Sequence, residues 1–335
     1  MVTGRRIWQI VRNVFLVFLG LAAIFFLVVV PWFFTNLITH DHYQFPDPNN
    51  GKTPISYAMK FDWIQFHSKD GVLLKGWYVP KKTNPIGTIV YVHGLNRSRI
   101  EMLPMSHFAH GLGYNGLLFD LRNCGQSGRS VGTLGYNERW DVEAAIHYAI
   151  AKERATRPIV LWGVSMGAAA ALEAAAHSAD VGAVISDSSF LSLREVIDHH
   201  ARLFLGLPSF PIPDEIIDWI AWRGGFKPSD FDLRKAVQHI NPRPILFIAV
   251  AGDKRMPPSI ARTLRSFSTN PLSRVVVVPG TRHGEGFNSG RVPYEQAVTE
   301  FLGAANPHST PPAPSKPRTL RQEGKRKIRS LNRKL

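Results

Sequence analysis

The sequence predicts an α/β protein: a mostly parallel, doubly wound sheet with a helical cap inserted in it and a transmembrane helix ahead of both. Three observations carry that prediction. Short apolar runs free of charge recur from Thr88 to Pro279, with helical segments between them. One such run turns at once into a helix through Gly163-Val164-Ser165-Met166-Gly167. No charged side chain stands between Arg12 and Asp41. Strands covered on both faces read as continuous apolar runs, and strands alternating with helices build right-handed βαβ units.

The chain has 335 residues, 44% of them hydrophobic, which is room for one large α/β domain with additions at its ends. Val14 to Ile38 is a stretch of about 25 residues, roughly 37 Å as a helix and enough to span a bilayer with some tilt. Trp8 and Trp32 lie near its ends, at the depth aromatic rings favour. Pro31 predicts a kink or an early end. A cleaved signal peptide has a shorter apolar region and a small-residue cleavage site, and no convincing A-x-A is present. Residues 1–40 therefore read as a cytoplasmic stub and an uncleaved anchor. Arg5, Arg6 and Arg12 precede the span, while Asp41 and Asp47 follow it. The positive-inside rule then places the N-terminus in the cytoplasm and the rest of the chain outside the cell membrane.

Residues 41–57 are polar and rich in Pro, Asn and Gly, a linker onto a domain expected over 58–304. Lys69-Asp70-Gly71 between two apolar runs predicts an antiparallel hairpin of Phe61–Phe66 and Val72–Val79. Thr88–Val92 is a buried strand ending in His93-Gly94-Leu95. A helix over Ile100–His110 leads to a strand over Asn115–Asp120 and a glycine-rich turn. A helix over Glu138–Ala155 precedes the strand Ile159–Trp162. Further strands are expected over Val181–Ser186, Pro244–Ala251 and Arg274–Pro279, with a last helix around Val298–Leu302. The interval 190–241 breaks this rhythm with helical pieces over Val196–Leu205 and Glu215–Trp222 between proline-rich breaks. It reads as a cap over the carboxyl edge of the sheet, where binding crevices of open α/β sheets lie. Phe204, Trp219 and Trp222 in it suit either an acyl chain or the cap's own core.

Ser165 stands at the apex of a strand–turn–helix, with a glycine two residues to each side. The apex is strained and the two segments approach too closely for a Cβ, which is the nucleophile elbow. A serine hydroxyl needs a base, and the base needs an orienting group, in the order Ser, acid, His. Asp253 follows the strand ending at Ala251, and His283 follows the valine-rich strand. Asp187, after the strand that follows the elbow, is the rival acid. Asp253 is preferred because it lies on the penultimate strand's loop. His199, His200 and His239 fall in the cap, and His93 precedes the elbow with a structural role in its loop. The oxyanion donors are expected to be the backbone N–H groups of Met166 and Leu95.

Together, His93-Gly94, the Asp120–Ser127 turn (D-x-R-x-x-G-x-S), Gly163–Gly167, Asp253–Pro257 and His283-Gly284-Glu285 resemble the α/β-hydrolase superfamily of serine hydrolases, particularly its membrane-anchored, domain-containing forms and bacterial relatives. The resemblance spans about Phe61 to Leu302. One local departure is that Asp253 directly follows Gly252, where many relatives carry extra residues. The resemblance implies an α/β-hydrolase fold and cleavage of carboxylic esters, thioesters or amides through an acyl-enzyme, with no metal and no organic cofactor.

The formal net charge of +15 raises nucleic acid as a partner, but it is unevenly placed. Lys316 to Lys334 holds nine cations against Glu323 alone. Residues 305–335 read as a Pro-rich then basic extension, solvated or resting on an anionic surface, and no nucleic-acid partner is expected. The single cysteine, Cys124, excludes an intramolecular disulfide. The expected substrate is a small-molecule or lipid-like acyl ester. Acyl transfer, thioesterase or amidase chemistry uses the same residues, and a non-catalytic binding protein on the same scaffold is the reading from another class.

Overall fold

The structure of the protein, a computed structural model, describes residues 4–40, 47, 49–153 and 155–305. The basic tail and most of the expected linker lie outside them. One helix runs from Gly4 to His40, as α1 (Gly4–Ile24), a π-helical turn (Phe25–Val29) and α2 (Val30–His40). Pro31 does not end it. The π turn just before it, in which Val30 N–H reaches back to the Phe25 carbonyl, takes up the ring and the missing donor. The helix is long and apolar enough to cross a membrane.

The hairpin forms as read, from β1 (Asp62–His67) and β2 (Leu73–Val79). Then follow β3 (Gly87–Val92), α3 (Leu103–Leu112), β4 (Tyr114–Phe119), α4 (Glu138–Ala151), β5 (Ile159–Val164), α5 (Met166–His177) and β6 (Val181–Asp187). Next come α6 (Leu193–Leu205), α7 (Ile212–Gly224), α8 (Leu233–Ile240), β7 (Ile245–Val250), α9 (Pro258–Ser266), β8 (Arg274–Val278), α10 (Gly286–Ser289) and α11 (Arg291–Ala305). The eight strands form one sheet in the order β1-β2-β4-β3-β5-β6-β7-β8. β1 and β2 are antiparallel to their neighbours, and all pairs from β4 to β8 are parallel. This is the α/β-hydrolase fold that the motifs implied.

Alternate strand residues serve two cores. Val90, Leu117, Leu161, Val184 and Phe247 face the side of α4 and α5. Tyr91, Leu118, Trp162, Ile185 and Ile248 face the side of α3 and α11. The chain steps from β3 to β4 on one side and returns to β5 on the other, so the order reverses between β3 and β5. The carboxyl ends of these two strands flank the crevice that such a switch opens.

The interval 190–241 divides. α6 and α7 stand over the carboxyl edge, whereas α8 packs on α5 through Leu233, Ala236, Val237 and Ile240. The glycine-rich turn after β4 is a charged knot. Asp120 accepts from Arg99 Nη1 (2.7 Å) and from the N–H of Gln126 (2.8 Å). A Cβ on Gly125 would lie 2.0 Å from its Oδ2. Arg122, fully buried, pairs with Asp141 at 2.7 Å and with Asp70 at 2.7 Å. Breaking a buried pair of this kind costs about 3–5 kcal/mol, because one charge is left without a partner. The D-x-R-x-x-G-x-S signature is thus structural.

Candidate active site

The site begins with two close backbone contacts. A Cβ on Gly163 would lie 2.3 Å from the Gly167 carbonyl oxygen, and one on Gly167 would lie 2.2 Å from that of Val92. Only glycine allows β5 to turn this tightly into α5 while resting on the end of β3. The turn forces Ser165 to φ 56° and ψ −120°, a left-handed strain worth about 1–3 kcal/mol that the surrounding contacts must hold. Its N–H donates to the Asp187 carbonyl at 2.8 Å, which fixes the apex against β6.

The loops after β7 and β8 bring the partners. Ser165 Oγ lies 2.7 Å from His283 Nε2, and His283 Nδ1 lies 2.7 Å from Asp253 Oδ2. The other oxygen of Asp253 accepts the N–H groups of Arg255 (2.8 Å) and Met256 (3.0 Å). Burial alone would raise the Asp253 carboxyl. The hydrogen bond and charge of His283, with the two N–H groups, outweigh burial and hold it below the ordinary range. The acid therefore stays ionised, facing the imidazole. Glu285 braces the histidine loop by accepting the N–H groups of Thr281 and Arg282, both at 2.9 Å, which brings its carboxyl down to about 2.

The rival acid lies elsewhere. Asp187 is buried, and its oxygens accept Ser188 Oγ–H and Tyr294 O–H, each at 2.8 Å. Burial raises its carboxyl. His93 is fully buried between the Gly94 carbonyl (2.8 Å) and the Leu121 N–H (3.0 Å), where it ties the loops after β3 and β4 together.

The chain matches the alpha/beta hydrolase family over residues 89–304. It belongs to that family. The uncharacterized protein YqkD of Bacillus subtilis is 29% identical to this hydrolase over 239 residues, 70% of this chain and 77% of its own. The uncharacterized protein YfhR of Escherichia coli K12 is 26% identical over 257 residues, 73% and 82% of the two chains. Among solved structures, the Pyrococcus furiosus esterase Pf2001 is similar with a TM-score of 0.63 at 21% identity, covering 78% of this chain and 98% of that one. Est1E of Butyrivibrio proteoclasticus, with ferulic acid bound, is similar with a TM-score of 0.55 at 19% identity, covering 71% and 97%. These two likenesses concern the fold.

In this hydrolase, Leu95 and Met166 line the same cavity as Ser165. Met166 opens α5, where a backbone N–H has no partner inside the helix. Three features escaped the sequence. Glu101, on the 3₁₀ turn before α3, accepts the Gly94 N–H at 2.7 Å, and burial pushes its carboxyl up to about 7. It holds the loop that carries Leu95, and nothing local in the sequence marks it. His200 on α6 lines the cavity, and burial followed by the Arg255 charge brings its imidazole down to about 4, so it faces the cavity neutral. The third feature is the composition of the cavity wall. The cavity, about 250 Å³ in volume, is lined almost wholly by apolar side chains. Phe204 is among them, but Trp219 and Trp222 lie in a groove beside Trp32. Among the described residues no group of three His, Cys, Asp or Glu side chains is placed to hold a metal ion.

Proposed function

We propose that this chain is a membrane-anchored serine hydrolase that cleaves carboxylic esters through a Ser165–His283–Asp253 triad and an acyl-enzyme. The observation that carries the reading is the continuous chain of two 2.7 Å contacts from Ser165 to Asp253, opening onto an apolar cavity. Ser165 Oγ attacks the ester carbonyl carbon as His283 Nε2 takes its proton. The oxyanion forms against the N–H groups of Leu95 and Met166, and Asp253 stabilises the imidazolium. His283 then gives the proton to the leaving alcohol, and the acyl group stays on Ser165. Water then attacks the acyl carbon as His283 takes its proton, and the bond to Ser165 breaks as His283 returns that proton to Oγ, releasing the acid. The fold shared with the Pyrococcus furiosus esterase is in keeping with this chemistry.

Anchoring is supported by how α2 is built into the domain. Arg223 Nη1 donates to Asn36 Oδ1 (2.6 Å) and lies 2.9 Å from Thr39 Oγ1, and Gly132 N–H donates to the Thr39 carbonyl at 2.9 Å. A cleaved signal sequence has no use for such bonds. With Arg5, Arg6 and Arg12 ahead of the span, the domain faces outward from the cell membrane.

The test is hydrolysis of p-nitrophenyl butyrate by the full-length protein in detergent. The expected result is a burst of nitrophenol equal to the enzyme present, then steady turnover, with both lost in Ser165→Ala. A folded wild type without turnover, or a Ser165→Ala variant that retains it, contradicts the proposal.

A further inference from the structure

The last eleven residues of the N-terminal helix do more than tether the domain. Pro31, Thr35 and Thr39, four apart on one stripe of α2, are buried. On the adjoining stripe, Phe34 and Ile38 line the same cavity as Ser165 and Met166. Phe33 and Leu37, on the other side of the helix, are exposed by 55% and 47%. The wall of the catalytic cavity is therefore completed by the membrane helix itself, roughly 130 residues before the elbow in the sequence. The cavity wall also includes Phe204 and Leu205 of α6, which are 60% and 52% exposed. A pocket whose wall includes exposed apolar side chains opens onto a nonpolar medium at little cost, and onto water at a higher one.

The length of the span sets where that opening lies. From Asn13 to Val29 the helix is uncharged and buries no side chain, meeting the domain only where its π turn touches α7, which gives about 26 Å. That is a few ångströms short of a hydrocarbon core of about 30 Å. The first turn of α2, with Trp32 and Phe33 outermost, supplies the difference, and this draws the domain onto the bilayer. Trp32 shares a groove with Trp222 of α7, which is 80% exposed and suited to the headgroup level.

We infer that α2 is a wall of the acyl pocket, that Phe34 and Ile38 set which acyl chains fit, and that the substrate is a long-chain acyl ester resident in the same bilayer, which enters sideways without crossing water. The inference rests on the hydrolase reading above and adds to it the substrate class and two specificity residues. The acyl chain passes along α2 and α6 to Ser165, while the polar part of the ester stays toward the side where Arg97, Glu101 and Gly284 line an adjoining polar cavity.

The test uses full-length protein in vesicles of ether-linked phosphatidylcholine, which an esterase cannot cleave. The substrates are 4-methylumbelliferyl palmitate dissolved in the bilayer and the water-soluble acetate. In Phe34→Trp and Ile38→Trp, the palmitate-to-acetate ratio of kcat/KM is expected to fall about tenfold or more, as crowding of an apolar pocket does. Leu37→Trp, on the outward stripe, keeps the wild-type ratio. Phe34→Ala, which widens the pocket and spares the fold, moves the chain-length optimum upward, and labelling of Ser165 by a fluorophosphonate reports that each variant is folded. Wild type is expected to cleave palmitate in its own vesicles about tenfold faster than in separate protein-free vesicles mixed with them. Unchanged ratios in the inward variants, or equal rates from the two vesicle arrangements, overturn the inference. In that case acetate turnover by wild type leaves the triad reading standing; failure to cleave either ester removes the hydrolase reading itself.

Discussion

Asp253→Asn is expected to lower kcat by about 10⁴-fold while the protein stays folded, because an amide in place of the carboxylate presents the wrong partner to His283 Nδ1 and no longer stabilises the imidazolium. The carboxylate oxygen at 2.7 Å from Nδ1 fixes the tautomer in which Nε2 is free to accept the Ser165 proton. Asp187→Asn is the matched comparison, since both acids are buried on adjacent strand ends. Asp187 accepts from Ser188 and Tyr294 and makes no hydrogen bond to His283. An asparagine there still offers one oxygen to Tyr294, so kcat falls by less than about tenfold and stability by about 1–2 kcal/mol. Steady-state kinetics of the two variants beside thermal melts separate the roles. Equal losses of kcat in two folded variants would contradict the assignment of Asp253 as the orienting acid.

Gly167→Ala is expected to cost more than about 4 kcal/mol, the range reserved for backbone collisions and broken buried networks. The added Cβ would lie 2.2 Å from the Val92 carbonyl oxygen and 2.4 Å from that of His93. Both are backbone atoms at the end of a central strand, and moving them displaces the loop that carries Leu95. For a domain of this size the melting temperature should fall by about 10 °C or more. Gly111→Ala is the control: its Cβ would meet nothing within 4 Å, and alanine suits a helix. Melts followed by circular dichroism in detergent check both. A Gly167→Ala protein that melts with the wild type would mean that the elbow tolerates a side chain.

These two predictions also mark what the sequence made legible. The elbow could be read because Gly163 answers to a backbone contact only four residues on, at Gly167, which any chain taking that turn must satisfy. The strands could be read because Thr88–Val92 or Ile245–Val250, covered on both faces, carry no charge to confuse the pattern. The order of Asp253 and His283, each just past such a strand, then brought both onto one edge. What stayed hidden depends on contacts between distant segments. Glu101 gains its meaning only once Gly94 N–H is turned toward it, and its own neighbours, Arg99 to Met102, give no sign of that. Residues 233–240 fell inside the interval read as cap, and nothing local shows that Leu233, Ala236, Val237 and Ile240 would pack on α5 instead. Pro31 predicted a break because the sequence does not reveal that a π turn precedes it. By composition Trp219 and Trp222 suit a pocket or the cap's own core, and the structure places them in neither but in a groove with Trp32. Phe34 and Ile38, inside a run of apolar residues, cannot be told by sequence from their exposed neighbours, because the cap beside them lies far along the chain.

The central claim is that Ser165 is an activated nucleophile, and its most direct test is covalent. The detergent-solubilised full-length protein is treated with a fluorophosphonate, digested, and the modified residue located by mass spectrometry. One adduct on Ser165 is predicted, absent from Ser165→Ala and formed far more slowly by His283→Ala, in which no base takes the hydroxyl proton. A folded wild type that carries no adduct, or carries it on another serine, would contradict the account.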